Sequence, residues 1–222
     1  MTELAVPEEQ FPALVEINAV DHGFVLRIPG IDVQTDRATA LARLREYHSQ
    51  VLTRLETRVA RQAAQVHGNE VASITAAAPE QTAGVDGLLT DDPNVVLTIY
   101  VADCCAIYLV DPRRRIIGLL HSGKKGTALN ISGRAVEKLE AEFGCDPADL
   151  IAQLSPCIRP PHYEVDFANE IVTQLHRAGV KSVHDCGENT GSDLNKFYSY
   201  RVEKGQTGRM LAYLALRVGV DG

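Results

Sequence analysis

Three short polar groups interrupt the apolar stretches of this 222-residue chain: Gln65-Val66-His67-Gly68, Ala102-Asp103-Cys104-Cys105 and Leu120-His121-Ser122-Gly123. Each sits where a buried strand or the long helix before it would end. An Asp-Cys-Cys break between two apolar runs is costly, because a buried charge without a partner costs several kcal/mol. If the chain folds back at Asp111-Pro112, His121 returns close to Cys104. His67, Cys104 and His121 would then form a set of two imidazoles and one thiolate. Zinc accepts that mixture, and three protein donors leave a fourth position for water or substrate. Water held there would have its pKa lowered to about 7. The spacings match no short zinc motif. Taken singly, a cysteine reads as packing and a histidine as a hydrogen-bonded residue, so the reading rests on three coinciding at strand ends.

A metal-free alternative uses the same residues. Cys104 or Cys105 would be a nucleophile, His121 its base, and Asp103 the carboxylate that orients the imidazole. Side chains alternate along a strand, so only one of the two cysteines can face the cleft. Cys145, just after a helix stop, reads as structural; Cys157 and Cys186 lie in polar, Gly/Pro-rich loops and could line the site, with loop packing the favoured reading.

The elements that must position these residues follow from periodicity. Leu41, Leu44, His48, Val51, Leu52, Leu55 and Val59 share one helical face, capped by Thr35 or Asp36, which predicts a helix running to about Ala64. A second helix starts at Ser132 and ends at Gly144; a third starts near Asp166 and stops at Gly179. Strands are expected at Gly23–Ile28, Val95–Val101, Ala106–Val110, Ile116–Leu120 and Leu211–Leu216. The central three are almost continuously apolar, as strands buried on both faces are. No repeat or linker divides the chain. The expectation is one α+β domain over 1–222, with mixed sheets layered with helices and residues 1–19 as an N-terminal extension.

Composition narrows the function. Lys plus Arg is 22 and Asp plus Glu is 29, a net charge of -7, and no basic stripe extends beyond Arg113-Arg114-Arg115. That argues against nucleic acid and anionic membrane as partners. No apolar run is long enough to span a bilayer, and the acidic start has no signal-peptide pattern. An odd five cysteines, two adjacent, make no disulfide framework. A cytoplasmic globular protein is expected, with its oligomeric state left open.

Seven signatures then occur in order: His22-Gly23-Phe24 with Arg27; Gln65-Val66-His67-Gly68; Asp86-Gly87-Leu88-Leu89-Thr90; Ala102-Asp103-Cys104; His121-Ser122-Gly123 with Gly126; Pro156-Cys157-Ile158 with Tyr163-Glu164-Val165; and Phe197-Tyr198-Ser199-Tyr200-Arg201 with Thr207-Gly208-Arg209. In these the chain resembles the laccase-domain (YfiH-like) family, long named for polyphenol oxidases and now regarded as purine nucleoside phosphorylases. The resemblance implies an α+β domain and a zinc site on His67, Cys104 and His121. It also implies phosphorolysis of adenosine, inosine, guanosine or methylthioadenosine, and hydrolytic deamination of adenosine. Nucleoside and phosphate are then the small-molecule partners, and Arg27 matches the family's N-terminal arginine, a candidate phosphate contact.

The chain departs from the family at three places. Lys124-Lys125 replaces Trp-Arg after His121-Ser122-Gly123, so a point charge stands where a planar fork would grip phosphate. Pro161-His162 replaces a Cys-Cys pair, which makes His162 a candidate substrate contact, and Arg159 replaces a glycine. Two other functions compete: a cysteine hydrolase acting on an amide or cell-wall precursor, and a divergent non-catalytic zinc-binding member. A multicopper oxidase is disfavoured, because the chain has only seven histidines and no His-x-His pair.

Overall fold

A computed structural model describes residues 6–55 and 58–219. In chain order the elements are β1 (Glu8–Glu9), α1 (Pro12–Val15), β2 (Val20–Val25), α2 (Arg37–Thr53), β3 (Val59–Ala63), β4 (Val71–Ser73), β5 (Gln81–Thr82), β6 (Gly87–Thr90), β7 (Val95–Val101), β8 (Cys105–Asp111), β9 (Ile116–Ser122), α3 (Lys124–Ala128), α4 (Ile131–Phe143), β10 (Ile151–Leu154), α5 (Phe167–Arg177), β11 (Ser182–Asp185) and β12 (Met210–Leu216). Two mixed six-stranded sheets result, ordered β1-β2-β12-β7-β3-β5 and β11-β10-β8-β9-β6-β4. This is the single-domain α+β architecture expected from the sequence.

The layering follows from alternation along the central strands. In β8, Ala106, Tyr108 and Val110 enter one core while Cys105, Ile107 and Leu109 enter another. The first core lies between the sheets and contains Phe24, Leu97 and Leu214. The second joins the opposite face of β8 and β9 to α4 and α5 through Leu120, Leu139 and Ile171. A strand buried on both faces has no solvent side, which is why these runs are almost uninterruptedly apolar. Tyr108 ties the two sheets together, its buried hydroxyl donating to the Gly23 carbonyl at 2.9 Å.

Three features differ from the sequence reading, the first being the strand expected at Gly23–Ile28, which runs instead over Val20–Val25. Asp36 caps α2, accepting from the backbone N–H groups of Ala38 and Thr39, but the helix ends at Thr53 rather than near Ala64. Val59–Ala63 is instead strand β3, parallel to β7 with Val59 opposite Val95. Val59 fits either period, and pairing with the sheet decides. The segment expected as an N-terminal extension contributes β1, paired to β2, and buries Phe11, Leu14 and Ile17; its residues 1–5 lie outside the described ones.

Two buried histidines give the fold a pH dependence. His48 is buried, neither ring nitrogen has a partner, and burial lowers its pKa from 6.5 to about 4. Burial likewise lowers His22 to about 4, outweighing its acceptance of the Phe11 N–H at 2.9 Å. Between pH 6.5 and 4 the unfolded chain binds protons that the folded chain refuses. The contribution of these two histidines is therefore fully present above pH 6.5 and is lost as pH falls towards 4. Urea midpoints should drop between pH 7 and 5, and His48→Leu should flatten that decline; an unchanged slope in the variant would remove His48 from the account.

Candidate metal centre and its cavity

The site is assembled around one carboxylate. Asp86, fully buried just before β6, accepts the backbone N–H groups of Val66 at 3.2 Å, His67 at 2.8 Å and Gly68 at 2.7 Å. The turn it holds is tight, with Gln65 and His67 both in the left-handed region at φ 61°. Gln65 clamps that turn to β7, bonding the Tyr100 carbonyl and N–H through its side-chain amide. Asp86 also meets His121 Nδ1 at 2.8 Å. With Nδ1 occupied, Nε2 is the nitrogen left for other chemistry.

His121 and Cys104 are matched by register. β8 and β9 pair antiparallel through the Asp111-Pro112 turn, with Cys105 opposite Ser122 and Ala106 opposite His121. Cys104 lies one residue before β8, beside Gly123. A Cβ at Gly123 would stand 2.5 Å from Cys104 Sγ, so glycine there makes room for the thiol. The donor atoms of His67, Cys104 and His121 all lie within 4.8 Å of one another, and the two imidazoles meet edge to face at 4.8 Å and 82°.

The electrostatics distinguish Cys104 from the other thiols. Burial opposes its ionisation, but the charge of His121 and hydrogen bonds from both histidines bring its pKa down to about 6. Burial disfavours the charged imidazole of His121, yet Cys104 and Asp86 raise it to about 9. Cys145 and Cys186 are pushed up to about 12, chiefly by burial. Cys105 faces the second core, where burial and then its hydrogen bond with Cys157 push its pKa well above that of an ordinary thiol. Among these thiols Cys104 alone has the low pKa that metal binding or nucleophilic chemistry needs.

A cavity of about 710 Å³ opens over this group. Tyr100, Tyr163, Phe167 and Tyr200 supply aromatic wall, and six cations line it: Arg37, Lys124, Lys125, Arg201, Lys204 and Arg209.

The model for the family described as multi-copper polyphenol oxidoreductase laccase matches residues 30–172 and 165–217. The chain belongs to that family. It is 32% identical to the purine nucleoside phosphorylase YlmD of Geobacillus stearothermophilus, over 69% of this chain and 70% of the relative. It is 35% identical to a purine nucleoside phosphorylase of Deinococcus radiodurans, over 68% of each. The crystal structure of the Geobacillus YlmD superposes with a TM-score of 0.77 at 26% identity, covering 93% of this chain and 94% of that one. A Bacillus licheniformis YfiH shares the fold at a TM-score of 0.74.

Within this laccase-domain protein, the other residues singled out from sequence fall in several places. Lys125 lines the cavity. Asp103 lines it too, but does not orient the imidazole: its carboxylate accepts the Thr190 hydroxyl at 2.7 Å and the Arg201 N–H at 2.6 Å, and Asp86 takes the place beside His121. Arg27 is absent from the cavity wall; it stacks on Tyr198, pairs with Glu203 at 2.6 Å and donates to the Phe197 carbonyl. His162 is exposed outside the wall and meets the Asn189 amide at 3.1 Å. Arg159 turns away to Asp185 and so does not charge the cavity. Sequence reasoning passed over Asp86, Gln65 and the cations Arg37, Arg201, Lys204 and Arg209. The signals for Gln65, Asp86, Arg201 and Arg209 were in the quoted signatures; Arg37 and Lys204 carried none.

Because Asp86 both fixes His121 and holds the His67 turn, Asp86→Asn should weaken divalent-metal affinity by roughly 10–100-fold. Competition with a chromophoric chelator measures this; unaltered affinity would show that the carboxylate is dispensable to the centre.

Proposed function

We propose that this protein is a zinc-dependent purine nucleoside phosphorylase acting on adenosine-, inosine- or methylthioadenosine-type nucleosides, with hydrolytic deamination of adenosine as a second activity. The observation that carries the reading is the juxtaposition of a His67–Cys104–His121 donor set with a cation- and aromatic-lined cavity. The names of the relatives support the same reaction. Two imidazoles and one ionisable thiol suit zinc and leave one position open. Among the described residues no other group of three or more such donors is close enough to hold a metal, which fits a mononuclear centre. Bound there, zinc would supply a Lewis acid at the cavity floor.

The remaining work falls to the protein. The aromatic side chains offer faces on which a purine can stack. Lys125 and Arg209 are candidates to hold phosphate, Arg209 being fixed by donation to the Thr207 and Gly208 carbonyls. Asp103 acts as a positioning residue, gripping the backbone of Arg201. In phosphorolysis a hydrogen-phosphate oxygen forms a bond to C1′ as the C1′–N9 bond breaks. The electron pair leaves with the base, which receives the proton that phosphate brought. Fixed cations favour this by keeping the anion close and oriented at no reorganisation cost.

A second reading has its own observation: Cys104, His121 and Asp86 are linked in the order of a cysteine-hydrolase triad. Zinc content separates the two. The purified protein should carry close to one zinc per chain, Cys104→Ala should lose it, and free base should form from adenosine or inosine only when phosphate is present. A metal-free, alkylation-sensitive enzyme that ignores phosphate would favour the hydrolase.

Lys125 allows a finer test. A point charge holds an anion less specifically than a guanidinium fork, so Lys125→Arg should lower the KM for phosphate and reduce its salt dependence. Identical phosphate kinetics at two ionic strengths would place the anion elsewhere.

A further inference from the structure

The main cavity has a neighbour. A second cavity, of about 590 Å³, lies between α2 and strands β3 and β7, and Leu41, Ala42, Leu52 and Ala60 give it apolar walls. Tyr100 is the one residue on the walls of both cavities. Its place in β7 explains this. Alternate residues of a strand share a face. Along that face Thr98 lines the second cavity, Ala102, just past the strand end, lines the main one, and Tyr100 stands between them. The same boundary crosses α2, where Arg37 lines the main cavity and Ala38 and Leu41 line the second.

Tyr100 is also held in place. β7 is interior to its sheet, between β12 and β3, and Tyr100 pairs with Leu211 of β12. The pairing of β3 with β7 stops at Gln62 opposite Thr98. Beyond it the Gln65 side chain takes over, accepting the Tyr100 N–H at 3.0 Å and donating to its carbonyl at 2.6 Å. The ring rests against buried His48, with centroids 5.4 Å apart and planes at 41°. A ring packed in this way is a wall and not a flap.

We infer that Tyr100 is a specificity-determining residue: its ring closes the main cavity off from the second and so limits how far a bound nucleoside can extend. This role rests on the phosphorylase reading of the same site and adds to it a limit on the substituents the nucleoside can carry. Groups as small as hydroxyl, amino or methylthio stay within the main cavity, whereas a benzyl-sized group directed at Tyr100 meets the ring. With the ring removed, the apolar second cavity becomes space for such a group. The Gln65 clamp grips only the backbone of Tyr100, so it survives a change of side chain.

The probes are adenosine, N6-benzyladenosine and 5′-benzylthio-5′-deoxyadenosine, which lengthen the nucleoside at opposite ends. Each is titrated calorimetrically into the zinc-loaded protein without phosphate, and adenosine turnover is measured with phosphate. The unmodified protein should bind at least one benzyl compound roughly tenfold or more weakly than adenosine, since a steric clash is what rejects it. In Tyr100→Ala that same compound should come within about threefold of adenosine, because the clash is gone and apolar wall is available. Tyr100→Leu, which keeps an apolar side chain for the fold, should shift the ratio in the same direction by less. Tyr100→Phe should still reject the compound, because the ring and not the hydroxyl forms the partition. Equal binding of all three compounds by the unmodified protein would overturn the partition, as would an unchanged ratio in Tyr100→Leu and Tyr100→Ala. Absence of adenosine phosphorolysis by the unmodified protein would overturn the phosphorylase reading instead, and the binding ratios would still decide the role of Tyr100.

Discussion

The buried carboxylate of Asp86 is the interaction on which the site depends. An ionised carboxyl with no solvent exposure is tolerable only when its oxygens are fully engaged. Here three backbone N–H groups and one imidazole engage them. Burial pushes its pKa up, but the His121 hydrogen bond and those from Gly68 and His67 more than reverse that and keep it ionised. The stabilisation is reciprocal: the turn cannot relax without stranding a charge, so His67 stays beside His121. Asp86 stands just before β6 of one sheet, and the turn it grips follows β3 of the other. One residue therefore joins the two sheets where their ends meet. The main chain reinforces it, since the His121 N–H donates to the Asp86 carbonyl at 2.7 Å.

Around that hub, the two-core layout dictates which groups stay reactive. Alternation along β8 sends Cys105 into the helix-covered core, where its thiol stays protonated, and leaves Cys104 at the strand entrance beside two imidazoles. Adjacent cysteines thus have opposite chemistry for a geometric reason. Gly123 completes the arrangement, because any side chain there would occupy the space of the Cys104 sulfur. The rigidity of β8 and β9, buried along their whole length, makes the Cys104–His121 spacing a property of the sheet rather than of a loop.

Some of this could be read from residues alone and some could not. Val95–Val101 matches β7 residue for residue, and β8, β9 and β12 differ from expectation by one or two terminal residues, because strands buried on both faces carry a continuous apolar signal. The β8–β9 hairpin made His121 and Cys104 neighbours on the strength of one Asp-Pro turn. The end of α2 was misplaced because Val59 satisfies helical and strand periods alike. Assigning the orienting carboxylate to Asp103 relied on proximity in sequence, whereas Asp86 reaches His121 through the β6–β9 pairing, a long-range contact that no local pattern encodes. Arg27 matches a family arginine, but its guanidinium is held by Glu203 and the Phe197 carbonyl, outside the cavity.

The charge of the cavity sets what the fold can be used for. A chain of net charge -7 repels phosphate at long range, so an anionic reactant must be drawn in by a local field. Six cations around a concave, aromatic-lined wall provide one, and low-dielectric walls concentrate it. They are drawn from α2, α3 and the loop between Ser199 and Met210, and none comes from the two central strands. The donor set and the charge therefore sit on different parts of the molecule, one on strand ends and the turn that Asp86 holds, the other on surrounding segments. Segments of the second kind can exchange arginine for lysine, or gain a cation, without disturbing the sheet register that brings Cys104 to His121. The Lys124-Lys125 departure lies in such a segment, outside the strands whose pairing sets the Cys104–His121 spacing.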